Sequence, residues 1–177
     1  MLLAAAAQGA EEEGARVEWV HPNRMSFVAC QHCGGCTETG VCIVQDDMQK
    51  VYRLLEEMDA LLLASPLFFA SVTAQVKALI DRAQPLWVRK YQLHRPLATD
   101  GKPRPLLFLS ALGGRARGQI RAARRVVKAF ADTFDGEYHE LIFPAIERPG
   151  EIGDHWTALP QAHAAGAALV AGLRHRS

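Results

Sequence analysis

Two uninterrupted apolar runs constrain the fold more than any other feature of this chain: ALLLA at 60–64 and PLLFLSAL at 105–112. Each is too short to make a helix of its own. Each is also stopped by turn-forming residues, Ser65 and Pro66 after the first and Gly113 and Gly114 after the second. Successive side chains of a strand point to opposite sides, so runs of this kind suit strands covered on both faces. Between and around them, apolar residues recur at helical spacing. Leu2, Leu3, Ala6, Ala7 and Ala10 mark a helix over 2–13 that Gly14 ends, and Met48, Val51, Tyr52, Leu55 and Met58 mark a second, capped by Asp46 or Asp47. Val72, Val76, Leu79, Ile80 and Ala83 form a third stripe, and Ile120, Ala123, Val127, Phe130 and Phe134 a fourth. An Ala-rich helix closes the chain over 158–173, and RVEWV at 16–20 and EYHELIFP at 137–144 are two further strand candidates.

Strands alternating with helices of this length predict one α/β domain with a mainly parallel sheet. Ligands of such sheets bind beyond the carboxyl ends of the strands, which directs attention to the loops at 65–72 and 112–119. The basic stretch 87–105 lacks periodicity and is expected to be a long surface connection, forming a lid or an oligomer contact. A net charge of +1 argues against nucleic acid or an anionic membrane as the main partner. The opening MLLAAAAQGAEEE is apolar too briefly for a signal peptide or membrane span, and the expectation is a soluble, cytoplasmic protein that keeps its thiols reduced.

All four cysteines, Cys30, Cys33, Cys36 and Cys42, fall within one loop at 29–45, spaced Cys-x2-Cys-x2-Cys-x5-Cys. Three thiols two residues apart can turn inward on one tight loop, and thiolates are the ligands of iron–sulfur clusters. Structural zinc sites usually divide their thiolates into two separated pairs, so a cubane cluster is the first reading. Zinc and a metal-free thiol set remain as alternatives. His32, between two of the thiols, reads as an exposed side chain, because four thiolates already complete a tetrahedral set.

CQHCGGCTETGVCIVQDDM, followed by SPLFFASVTAQVKALIDRAQPLW and GKPRPLLFLSALGG, resembles the NAD(P)H-dependent FMN reductase-like family, and within it the iron–sulfur flavoproteins. The resemblance covers essentially the whole chain. It implies a flavodoxin-like three-layer sandwich that binds FMN at the strand ends and, in this branch, a 4Fe-4S cluster on Cys30, Cys33, Cys36 and Cys42. It assigns the flavin ring to Ser65, Pro66, Leu67, Phe68, Phe69, Ser71 and Val72, with Phe68 where many relatives have tyrosine, and to the turn Gly113, Gly114 and Arg115. By the residues alone, the alternative is that Leu67, Phe68 and Phe69 are core at a strand end. Lys77, Asp81 and Arg82 match a helix signature and are given a structural role. Arg115, Arg117, Arg121, Arg124, Arg125 and Lys128 read as a solvated basic face.

In the family pattern an apolar strand and a glycine- and serine-rich phosphate turn come before the first helix. Residues 1–13 match that helix itself, so an N-terminally incomplete domain is expected, with a strand position left open between 17–20 and 60–64. The implied activity is an oxidoreductase without an acid or base catalyst, passing electrons between a donor, NAD(P)H or a ferredoxin-like carrier, and a small acceptor. A homo-oligomer, dimer or tetramer, is implied as well. The competing reading is a non-catalytic zinc- or thiol-based redox or interaction protein on the same scaffold.

Overall fold

The computed structural model describes residues 1–98, 101–114 and 117–174. Helix α1 (Leu2–Glu12) is followed by an extended stretch, a 3-10 turn (Pro22–Arg24) and the cysteine loop. Then come α2 (Met48–Glu57), β1 (Leu61–Ala64), the short strands β2 (Leu67–Phe68) and β3 (Ser71–Val72), α3 (Ala74–Asp81) and α4 (Gln84–Trp87). A single π turn (Val88–Gln92) leads towards β4 (Arg104–Leu112), α5 (Arg117–Asp132), β5 (Gly136–Pro144) and α6 (Ala158–Arg174).

The main sheet has the order β1-β4-β5 and is wholly parallel, with Leu61 opposite Leu106 and Arg104 opposite Gly136. β4 is its centre, and the alternation of its side chains divides the core in two. Leu106 and Phe108 pack on one face with Met48, Val51 and Leu55 of α2, Leu79 of α3 and Val127 and Phe130 of α5. Leu107 and Leu109 pack on the other face with Leu2 and Ala6 of α1 and Ala158 and Ala162 of α6. Helices cover both faces of a parallel sheet, which matches the parallel α/β domain expected from the alternation of strands and helices and the three-layer sandwich that the resemblance implied.

α1 and α6 lie against each other through glycines. A methyl group on Gly9 would stand 2.1 Å from the carbonyl oxygen of His163, and one on Gly166 would stand 1.9 Å from that of Ala6. Only residues without a Cβ allow the two backbones to come so close.

Three expectations need correction. RVEWV at 16–20 is extended but joins no strand, and among the described residues its backbone makes no hydrogen bond to a neighbour. β1 is only half-buried, because β4 borders one of its edges and, among the described residues, no strand borders the other. Val72 is not on a helix: it closes the β2–β3 hairpin, and α3 starts two residues later. The first two share one cause. A groove of about 890 Å³ runs between residues 14–20 and the free edge of β1, with Leu3 and Leu169 on one wall and Val51, Leu55 and Phe130 on the other. Its mixed lining from both cores shows that it lies in the plane of the sheet.

The segment after α4 is tied down at several points. Val88, Leu97 and Ala98 are buried, Lys90 pairs with Asp132 and Asp135, and Arg89 pairs with Glu56. Among the described residues, no helix is long and apolar enough to cross a membrane.

Candidate functional site

Ser65, directly after β1, organises the carboxyl end of the sheet. Its amide donates to the Leu109 carbonyl at 3.1 Å, and its own carbonyl accepts from Ser110 Oγ at 2.7 Å. Its hydroxyl donates to the Pro66 carbonyl and accepts from the Thr73 amide at 3.0 Å. Both serines are buried, so this network fixes the base of the β2–β3 hairpin. The hairpin turns on Phe69 and Ala70, whose φ values of 49° and 62° are left-handed. Two-residue hairpin turns need positive φ at both positions and usually recruit Asn and Gly, so a Phe–Ala pair here stores backbone strain of about 1–3 kcal/mol per residue.

The residues expected at the flavin ring divide into two sets. Leu67 and Val72 point into the core and anchor the hairpin, so the alternative core reading fits Leu67 but not Phe68 or Phe69. Phe68 is 61% exposed and Phe69 fully exposed, which sets a flat apolar surface beyond the strand ends. Pro66 is exposed and Ser71 half-buried beside them. On the second loop, Gly113 and Gly114 are exposed, and the Gly114 amide donates to Glu147 Oε1 at 2.7 Å. A carboxylate therefore occupies an amide of the kind a ligand oxygen would use. Arg115 lies outside the described residues. Phe68 and Phe69 thus offer an exposed aromatic surface of the kind a flat ring such as a flavin could stack on, and Gly113 and Gly114 offer exposed backbone without side chains.

The cysteine loop is a lobe with a closed neck. Ser26 and Asp47 bond each other twice, the Ser26 amide to the Asp47 carboxylate at 2.6 Å and the Asp47 amide to the Ser26 carbonyl at 3.2 Å. Asp46 accepts from the amides of Val28 at 3.2 Å and Met48 at 3.1 Å, so Asp46 rather than Asp47 caps α2 with its side chain. Inside the lobe His32, Gly34 and Gly40 have positive φ. Gly40 has a second reason to be glycine, since a Cβ there would stand 2.2 Å from Cγ of Arg89.

Behind the neck sits Arg82, whose side chain is 2% exposed. Its Nη1 donates to Asp46 Oδ2 at 2.6 Å and to the Val28 carbonyl at 2.7 Å. Its Nη2 donates to Asp46 Oδ1 at 3.0 Å and to Cys42 Sγ at 3.5 Å, and Nε reaches the Tyr52 hydroxyl at 3.4 Å. Burial works against the charge of both partners. The hydrogen bonds win: those from Arg82 and the two amides hold the Asp46 carboxyl below its usual range, and Asp46 and Tyr52 keep the guanidinium firmly protonated. Burial pushes the Tyr52 hydroxyl well above its ordinary value. The same cause raises the Cys36 thiol, helped by the other three cysteines.

All four thiols are free, with Cys30 and Cys33 exposed and Cys36 and Cys42 half-buried. As a donor set they fit a group held by thiolates: four soft ligands on one lobe, none committed to a disulfide. Their positions are not those of a closed site, because among the described residues no three Cys, His or acidic side chains converge as metal ligands.

Arg82, Tyr52 and Glu147 were not singled out as site residues from sequence. For Arg82 a signal existed: position 82 follows Val76 and Leu79 on the apolar stripe of α3, where a cation must find buried partners. Its neighbours Lys77 and Asp81 form an exposed pair at 2.7 Å. The basic run on α5 divides, with Arg124 bonded to Glu140 at 2.8 Å, Lys128 over the Tyr138 ring, and Arg117, Arg121 and Arg125 exposed.

The chain is similar to an iron-sulfur flavoprotein of Archaeoglobus fulgidus, 37% identical over 86% of this chain and 64% of that one. It is also similar to an iron-sulfur flavoprotein of Methanosarcina thermophila, 26% identical over 71% of this chain and 61% of that one. It thus spans under two thirds of the length of either relative. Among solved structures, the fold is like that of the NAD(P)H:quinone oxidoreductase from Methanothermobacter marburgensis, with a TM-score of 0.69 and 20% identity over 95% of this chain and 89% of that one. It is also like that of an FMN-dependent NADH-azoreductase from Bacillus anthracis in complex with FMN, with a TM-score of 0.62 and 13% identity over 96% of this chain and 90% of that one. The family model for NADPH-dependent FMN reductase matches residues 1–138, and the chain belongs to that family.

Proposed function

We propose that the chain is the FMN- and cluster-bearing part of an oxidoreductase of the iron–sulfur flavoprotein type. The observation that carries this reading is the placement of four free thiols on a lobe whose neck is closed by hydrogen bonds, in a domain that also exposes Phe68 and Phe69 beyond its sheet. Cys30, Cys33, Cys36 and Cys42 would hold a 4Fe-4S cluster, and Phe68, Phe69 and the Gly113–Gly114 backbone would hold the flavin ring. When bound, FMN exchanges one or two electrons and the cluster exchanges one, so the pair can connect a hydride donor to a one-electron carrier. The chain's own groups supply position; no side chain is assigned as acid or base. NAD(P)H or a ferredoxin-like carrier would be the donor and a small molecule the acceptor. A reducing, cytoplasmic setting would keep the thiols free, and the working form would be a homo-oligomer.

A second reading is a zinc- or thiol-based redox module, whose metal-free thiol form is the one favoured by the sulfurs not converging. Anaerobic reconstitution with iron, sulfide and FMN distinguishes the two. The first reading expects stoichiometric iron and sulfide, a broad visible absorption beside flavin bands, and loss of the broad feature alone in Cys36→Ser. Colourless protein that retains zinc and no iron supports the second. Loss of flavin together with iron in Cys36→Ser would show that the two sites are not separable.

A further inference from the structure

We propose that Arg82 is a positioning residue for the group held by the cysteine lobe, tying both ends of the lobe to α3 and placing a cationic donor on the sulfur of Cys42. The inference rests on the reading of the lobe as a cluster site. It starts from a count of donors. A guanidinium carries five N–H groups in a fixed fork, and here all five are directed at acceptors: two at the Asp46 carboxylate, one at the Val28 carbonyl, one at the Tyr52 hydroxyl and one at Cys42 Sγ. Val28 lies before the first cysteine, and Cys42 and Asp46 lie at the far end, so one side chain of α3 holds the entrance and exit of the lobe together.

Cation and donor act on the sulfur in the same direction. A hydrogen bond and a positive charge beside a thiolate ligand both favour the more electron-rich state of the group it binds, so they raise its reduction potential. A merely structural salt bridge would hold the loop and leave that potential unchanged. An ammonium has three donors and no fork, so lysine keeps the charge but cannot serve all five acceptors.

The experiment compares reconstituted wild-type protein with Arg82→Lys and with the double variant R82M/D46N. The double variant keeps an oxygen for the Met48 amide and leaves no buried charge unpaired, which protects the fold. The double variant leaves the local net charge unchanged and removes the hydrogen bond to Cys42 Sγ, so in redox titration its reduction equilibrium is expected to move about tenfold toward the oxidised form through loss of that bond, 59 mV for a one-electron couple, with Arg82→Lys in between. Equal potentials in all three proteins overturn the proposal. Should wild-type protein take up no iron and sulfide, the cluster reading has failed, and the anchoring role is read on metal-free protein. There, amide exchange across 28–46 is expected to quicken about tenfold in the double variant while exchange in β4 stays unchanged. Unaltered exchange across 28–46 overturns the proposal in that case.

Discussion

Asp46 shows how one side chain can serve local structure and the site together. It caps α2, closes the neck of the lobe and receives the fork of Arg82. Its carboxyl is held below the ordinary range in the folded chain, so on acidification the unfolded chain takes up a proton first. The stabilisation it contributes is complete above the unfolded value of about 3.9 and is lost as pH falls through the lower folded value. Asp46→Asn should therefore lower the urea midpoint at neutral pH and leave a smaller difference from wild type near pH 2–3, as measured by urea melts across that range. The aspartate was recognisable in the sequence as a cap beside the cysteines. Its partner was harder to see, because a basic residue next to the exposed Lys77–Asp81 pair looks like surface until the apolar stripe is extended one turn.

At the scale of elements, the two apolar runs and the helical stripes were sufficient to place α1, α2, β1, β4, β5 and α6 within one or two residues, while the stripe read for α5 started three residues late and ran past its end to Phe134. Their periodicities are set by burial, which both cores display. What the pattern could not reveal was pairing. The alternation in RVEWV is that of a strand, yet a strand also needs a neighbour, and residues 16–20 have none. The β2–β3 hairpin was hidden for the opposite reason, since Phe69 and Ala70 are poor residues for the turn they make. Close helix contact gives a direct test at this scale. In Gly166→Ala the added methyl meets the Ala6 carbonyl, so α1 and α6 must separate, and a loss of about 1–3 kcal/mol is expected in urea or thermal unfolding. Gly172→Ala, on the same helix with open space around it, should be neutral or slightly stabilising.

For the whole molecule, the decisive feature is the open position beside β1. Its edge carries unpaired backbone groups above an apolar floor, an arrangement that favours self-association and binding of apolar probes. The chain should enhance the fluorescence of anilinonaphthalene sulfonate under native conditions, and Val17→Lys, which sets a charge on the groove wall without entering either core, should weaken both dye binding and concentration-dependent association in sedimentation. Undiminished dye fluorescence in Val17→Lys would place the probe elsewhere.

The contact between first and last helices also has a consequence for synthesis. A ribosome releases α1 long before α6 exists, at about 5–20 residues per second. For on the order of ten seconds the nascent chain carries α1 without the helix that finally covers it. Its Ala-rich face, with small side chains at Ala6, Ala7 and Ala10, presents little sticky surface during that wait.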